Sequence, residues 1–452
     1  MRSLACAGVV GLVVLAGCGG GGDIGGSSGS GSGGSVAPVA SGYPGNPASC
    51  DVSGQRAWLR DYMTDAYFWY DRQGVPNAAA TSMDAYFDAL LYQPTDRYSY
   101  SQTTASANQF YVDGTRTGYG YALDWLDAAR TTLAVRLVEP LSPVGLAGLQ
   151  RGDRIVSIDG KTSVEIANGG LAAVDTTGVA RTFVVRNAAG TQRSFTVPSA
   201  TYALSPVNTV AVLTAPNGAA TGYLMYQEFI ASGAAAMGAA FDRFRTAGIT
   251  ELVLDLRYNG GGSTQQARYL AGLVAGSAQT GKVFAQYQFN AKHTASNFTQ
   301  NFVGTSGGLP TAPLDNLARV IVITSPSTAS ASELVINALR PYKTVVTIGD
   351  TTYGKPYAFQ PVDACGTTYN AVNIVVANAL NFSDFSAGFA PTCAVADDLD
   401  HPLGDPAESR TAAALGFIQS GACPPRASVA KSLAPTASRG FGDISPPQMR
   451  VD

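Results

Sequence analysis

From Thr221 onward the sequence alternates short apolar runs with stretches of helical periodicity, and this alternation restricts the fold more than any other feature. Tyr223 to Phe229, Glu251-Leu252-Val253-Leu254-Asp255-Leu256, Arg319 to Thr324 and Thr344 to Ile348 read as strands. Ala234 to Thr246, Thr264 to Val274 and Ala331 to Arg340 read as helices. Met237, Phe241 and Phe244 share one face of the first, and Pro341 stops the last. A strand that is apolar throughout is covered on both faces, and intervening helices supply the cover. The expected class is α/β, built on a largely parallel sheet.

Upstream the pattern differs. Trp58, Leu59, Tyr62, Met63, Ala66 and Trp69 recur at helical spacing, as do Met83, Tyr86, Phe87, Leu90 and Leu91. Such aromatic density belongs to a packed core more often than to a ligand box. From Gly118 the period shortens: Leu133 to Val138 reads as a strand, Ser142 to Leu149 as a short helix opened by Pro143, and Arg151 to Gly160 as turn, strand, turn. The chain of 452 residues has room for about three domains. Its net charge of -3 argues against nucleic-acid binding, which leaves a basic surplus.

The N-terminus carries an address. Arg2 precedes an apolar run from Leu4 to Gly17, too short to span a bilayer and suited to a secretory signal. Leu15-Ala16-Gly17-Cys18 resembles the bacterial lipobox, which implies removal of residues 1–17 and lipidation of Cys18. Gly19 in place of aspartate implies outer-membrane sorting. Residues 18–48, rich in Gly and Ser, are expected to be a flexible tether. The expected location is the bacterial periplasm, held to the membrane through the lipid. Cys50, Cys365, Cys393 and Cys423 then remain, an even number that favours two disulfides in an exported chain. The expected pairs are Cys365–Cys393, closing a local loop, and Cys50–Cys423, tying the ends of the folded region. A metal site is not expected, since there is no CxxC pair and neither His293 nor His401 lies near paired cysteines.

Three segments carry candidate chemistry. Asp255-Leu256-Arg257-Tyr258-Asn259-Gly260-Gly261-Gly262 runs from a strand into a glycine turn. Ser327-Thr328-Ala329-Ser330-Ala331-Ser332-Glu333 leads from a strand into a helix. Thr351-Thr352-Tyr353-Gly354-Lys355-Pro356 follows the next strand. Each alone has a plain structural reading: Ser330-x-x-Glu333 is a capping box, Gly354-Lys355 a turn, the glycines a loop. Gly349 to Lys355 spells most of a phosphate-binding loop, but Pro356 occupies the magnesium-binding position and no helix follows. His293 lies in a polar loop and His401 in an acidic, solvated stretch, which argues against a Ser-His-Asp hydrolase.

Two family resemblances rest on these residues. Residues from about Gly118 to Ala200 resemble a PDZ domain of the bacterial protease type. Gly118-Tyr119-Gly120-Tyr121 stands where that family has its carboxylate-binding loop, and a Gly-Leu-x-x-Gly-Asp-x-Ile block follows. A peptide is then expected to add as a strand beside the loop. The three candidate segments together resemble the C-terminal processing, or tail-specific, serine peptidases of the S41 type, over about Gly118 to Ile418. That resemblance implies a crotonase/ClpP-like α/β core at 203–424. A PDZ domain at 116–202 and a small helical domain at 49–115 precede it, and 425–452 forms a disordered tail.

Carried over, Ser330 is the nucleophile and Lys355 the general base, 25 positions later. Lysine acts as a base at neutral pH only when burial lowers its pKa. The N–H groups of Gly260 or Gly261 and of Ala331 are expected to hold the oxyanion. The usual glutamine four after the lysine is Phe359 here, and Gln360 follows, so Gln360 and Glu333 stand equal as helpers of Lys355. The implied function is endopeptidase action on exported proteins or peptides through an acyl-enzyme, without cofactor or metal. The alternative is an inactive peptide- or ligand-binding lipoprotein of the same fold, which the shifted glutamine favours.

Overall fold

The computed structural model describes residues 45–425, apart from positions 128, 304, 307–308 and 311, together with Phe441–Gly442. Cys18 and the leader lie outside the described residues. The central sheet has six strands in the order Cys393–Ala394, Thr344–Gly349, Arg319–Thr324, Glu251–Asp255, Ala220–Tyr226, Val207–Thr214. Every neighbouring pair is parallel except the last. The period of two along each strand divides its side chains between two cores. Leu252, Leu254, Val320 and Val322 face the helices Ala234–Thr246, Thr264–Ala275 and Ala331–Leu339. Val253, Ile321, Ile323 and Ile348 face the opposite way, onto the helix Ser409–Ser420. Both faces are thus covered, as the uniformly apolar runs require.

The helices Val52–Ala66 and Met83–Leu90 are capped by the side chains of Asp51 and Ser82. Their aromatic faces do not close a core by themselves. Trp58, Tyr62 and Phe87 pack against Tyr369, Ala371 and Val372, more than 270 positions away in sequence. Tyr369 belongs to a hairpin of Val362–Ala364 and Thr367–Asn370, to which Tyr100–Thr103 adds as a third strand, and Ala371 and Val372 follow it directly. The hairpin turns at Cys365 and Gly366, both at positive φ (50° and 82°).

This docking corrects the expected disulfide pairing. The bonds are Cys50–Cys365 and Cys393–Cys423. The helical unit brings Cys50 onto the hairpin turn, while the Ser409–Ser420 helix returns Cys423 to the sheet edge that holds Cys393. The expectation joined a local loop and the two ends of the folded region, and strand and helix packing overrules it.

Residues 115–203 form a separate antiparallel layer. The chain enters and leaves through the paired strands Thr115–Gly118 and Ala200–Ala203. Between them Tyr121–Trp125, Leu133–Val138, Arg154–Ile158, Ala180–Arg186 and Gln192–Pro198 pair in sequence order. Tyr119, Leu123, Val135, Ile155 and Phe183 fill their core. Phe441–Gly442, within the stretch expected to be disordered, pairs on the outer edge of Tyr121–Trp125. Among the described residues, no helix is long and apolar enough to cross a membrane.

Candidate active site

The three candidate segments meet at the ends of adjacent strands. Past Asp255, the fully buried Arg257 pairs with Asp255, Asp397 and Glu408, which fixes the chain as it leaves the sheet. Asn259 then joins two turns. Its Nδ2 donates to the Tyr226 carbonyl (3.0 Å) and its Oδ1 accepts from the Gly261 N–H (2.9 Å). Its carbonyl accepts from the Ala329 N–H (3.1 Å) and the Ser332 hydroxyl (2.9 Å). Gly261 has φ +113°, and a Cβ there would lie 2.8 Å from Ser330 Cβ and 3.0 Å from the Ala331 nitrogen. Glycine is needed for the turn to approach the serine this closely.

Ser330 has φ 65° and ψ −116°, a sparsely populated conformation for a non-glycine residue, and stands directly before the helix Ala331–Leu339. Such strain costs about 1–3 kcal/mol and persists only where neighbours over-determine it. Here Thr328 Oγ1 donates to the Leu256 carbonyl (2.8 Å) and the Thr328 carbonyl accepts from the Tyr353 N–H (2.9 Å). The Ser330 side chain is fully buried, and its Oγ makes no hydrogen bond, to Lys355 Nζ or to any other group. An unsatisfied buried hydroxyl is costly in a merely structural serine. Ala331, as the first helical residue, presents an N–H without an intrahelical acceptor.

Glu333 connects the serine to the lysine. Its Oε2 accepts from the backbone N–H of both Ser330 and Lys355 (2.8 Å each), and its Oε1 from Thr352 Oγ1 (2.6 Å) and the Gly354 N–H (2.7 Å). Burial raises its pKa, and these bonds act in the opposite direction. One carboxylate therefore clamps two loops that the sequence separates. Lys355 is 1% exposed. Burial pulls its amine down to about 7, although the charges of Asp96 and Glu333 oppose the shift. The centroid of the Phe359 ring lies 4.2 Å from Nζ, and that of Tyr98 5.9 Å. Gln360 is half-buried, and its N–H donates to Asn373 Oδ1 (3.2 Å). The residues after Lys355 form a short strand, Tyr357–Ala358, where a phosphate-binding loop has a helix.

Sequence reasoning missed Asn259 and the roof over the lysine. Tyr98 Oη donates to the Gly354 carbonyl (2.8 Å), and Arg97 donates to the Tyr353 carbonyl (3.0 Å). Asp96, beneath them, accepts from Tyr67 Oη (2.6 Å) and Ser99 Oγ (2.6 Å). Nothing local in Asp96-Arg97-Tyr98 marks it as a partner of residues more than 250 positions away. The acidic stretch around His401 is engaged in ion pairs: Asp397 with Arg151 and Arg257, Asp398 with His401.

At the other candidate site, Tyr119 and Tyr121 turn inward and are buried. Tyr119 Oη donates to the Val179 carbonyl (2.9 Å). Gly118 (φ 153°) and Gly120 (φ 88°) shape the loop, and a Cβ at Gly120 would lie 2.0 Å from Ser142 Cβ. From the same unit, Arg151 donates to Tyr258 Oη (2.7 Å), next to Asn259. The antiparallel layer thereby touches the segment that carries Gly260 and Gly261.

Parts of the chain are similar to known proteins. Residues 220–384 match the model of peptidase family S41, and residues 54–100 match that of the peptidase S41 N-terminal domain. The carboxyl-terminal-processing peptidase 1 of Arabidopsis thaliana is 29% identical over 47% of this chain and 42% of its own length. The C-terminal processing peptidase of Tetradesmus obliquus is 26% identical over 63% of this chain and 61% of its own. The carboxyl-terminal-processing protease of Synechocystis sp. is 28% identical over 50% of each. This chain thus spans about half the length of the curated relatives it matches. A solved S41-type structure from Bacteroides fragilis is 28% identical, with a TM-score of 0.64 over 80% of this chain and 97% of that one. The chain is thus similar to peptidases of family S41 over the segment that carries the central sheet and over its N-terminal helices.

Proposed function

With peptidase family S41 as the premise, we propose that this chain is a serine endopeptidase with Ser330 as nucleophile and Lys355 as general base. The observation that carries the proposal is the Glu333 clamp, which holds the amides of both residues on one oxygen beside a free hydroxyl and a buried amine. Above about pH 7 the Lys355 amine is neutral and takes the Ser330 proton as Oγ attacks a peptide carbonyl. Catalytic hydrogen bonds often tighten only when substrate is bound, which accommodates an unbonded Oγ in the free protein. The Ala331 N–H stabilises the oxyanion. Gly261 has its N–H engaged by Asn259, so its neighbour Gly260 is the second donor. The lysine ammonium returns its proton to the leaving amine, and water then releases the acyl group. Glu333 is a positioning residue, and Gln360 is the candidate to orient or solvate the lysine amine.

Residues 116–202 act as a PDZ domain. A substrate's C-terminal segment adds as a strand to Tyr121–Trp125, with its carboxylate at the Gly118–Tyr121 loop. The chain is lipid-anchored through Cys18 in the periplasm, at the outer membrane.

Ser330→Ala is expected to abolish cleavage of an unfolded protein, by at least about 10³-fold, without lowering Tm. A serine-reactive phosphonate should modify Ser330 stoichiometrically. Parent-rate cleavage by the variant overturns the assignment. A silent Ser330 combined with tight peptide binding establishes the inactive binding protein, a reading that draws on the missing Ser330–Lys355 hydrogen bond.

A further inference from the structure

The outermost strand of the antiparallel layer comes from the far end of the chain. Phe441 lies opposite Leu123 and Gly442 opposite Ala122, antiparallel to Tyr121–Trp125. This is the edge to which the proposed function assigns the substrate strand, and the present inference rests on that reading. In this pairing the rising residue numbers of the tail run against those of Tyr121–Trp125, from Leu123 toward Ala122 and the Gly118–Tyr121 loop. A peptide whose carboxylate seeks that loop takes the same direction.

The root of this strand is fixed. Cys423 is bonded to Cys393 at the edge of the central sheet, and Pro424 and Pro425 follow it. Residues 426–440 intervene, fifteen positions rich in Ala and Ser with no aromatic residue. Fully extended they reach roughly 50 Å, the order of a small domain's width. A further ten residues follow Gly442.

We propose that the C-terminal segment around Phe441–Gly442 is an internal ligand of the Tyr121–Trp125 edge and competes with peptide substrate for it. A tether of this length presents its ligand at an effective concentration on the order of 1 mM. A segment that binds as a free peptide with a Kd of about 0.1 mM then occupies the edge about nine-tenths of the time, and weakens an incoming peptide about tenfold. The pairing covers two residues, which suits a ligand that a longer substrate strand displaces. Proteins commonly cover or blunt a free strand edge, and a tethered strand does so reversibly.

The test uses the full chain carrying Ser330→Ala, so that cleavage does not disturb binding, with and without Phe441→Pro and Gly442→Pro. Proline removes the N–H that a ladder requires. The probe is a fluorescent synthetic peptide of residues 436–447. The proline variant is expected to bind it about tenfold more tightly than the Ser330→Ala chain with the unsubstituted tail does. The amide of Leu123, which points away from Leu133–Val138 and toward the tail strand, is expected to lose hydrogen-exchange protection in the variant. Equal affinity with equal exchange overturns the inference, as does failure of the peptide to bind either chain. Cleavage of an unfolded protein by the Ser330-containing chain tests the peptidase reading separately, because the exchange readout requires no catalysis.

Discussion

The parallel core and the antiparallel layer treat their backbone in opposite ways. In the core, the turns around Ser330, Gly261 and Lys355 are locked by Asn259, Thr328 and Glu333, and the polar groups there are largely committed. In the antiparallel layer, the edge of Tyr121–Trp125 accepts a strand from elsewhere in the sequence. Chemistry at a strained serine needs a constellation that cannot relax. Recognition by strand addition needs a ladder left incomplete. Under the proposed function, the molecule keeps the two requirements in separate layers and connects them through contacts such as Arg151 to Tyr258.

The contrast is sharpened most by Glu333→Gln. The amide preserves shape, but its NH2 group cannot accept the hydrogen bonds made to one carboxylate oxygen, and each buried donor left unpaired costs about 1–3 kcal/mol. We expect kcat to fall about 10²-fold and Tm to drop, with peptide affinity at the strand edge unchanged. An unaltered kcat removes Glu333 from the positioning role. Gly120→Ala should do the reverse. Its Cβ cannot fit 2.0 Å from that of Ser142, so the loop must shift. KM for a protein substrate is expected to rise about tenfold, while turnover of a small activated ester stays at the parent value. Equal losses on both substrates break the separation of layers.

The smallest effect expected is a displaced pH profile. The Lys355 pKa is lowered by burial, so its productive neutral form is lost as pH falls, and kcat/KM should rise with pH around 7. Phe359→Gln admits polar contact to the amine. Desolvation shifts a buried lysine by up to about 3–5 pKa units, whereas a cation–π contact contributes about 0.5–2 kcal/mol, so loss of desolvation wins. The rising limb should move to higher pH by about one unit in a kcat/KM profile. A limb that stays in place dissociates Phe359 from the lysine's state.

Legibility followed the range of the interactions. The strands and helices of the core could be read because burial on both faces leaves uniform apolar runs, and strand ends place Ser330, Lys355 and the glycine turn together. The N-terminal helices were equally plain, since Trp58, Tyr62 and Phe87 carry the helical period. Their completion by Tyr369 was not, because a hairpin turn at Cys365 carries no local mark of what docks upon it. The disulfide pairing failed for the same reason. The roof of Asp96-Arg97-Tyr98 and the stitching by Asn259 depend on carbonyls and amides, which every residue possesses and no sequence pattern distinguishes. Glu333 was visible as a cap and as a candidate helper of Lys355, though not as a clamp on two loops. Its second role depends on the amides of Gly354 and Lys355, supplied by a different strand end.

The paired strands Thr115–Gly118 and Ala200–Ala203 bring the entrance and exit of the antiparallel layer side by side. A segment with adjoining ends can be swapped for another by recombination without rerouting the rest of the polypeptide. Under the proposed function, lineages that inherit this scaffold are thereby free to change what they recognise while the cutting apparatus stays as it was.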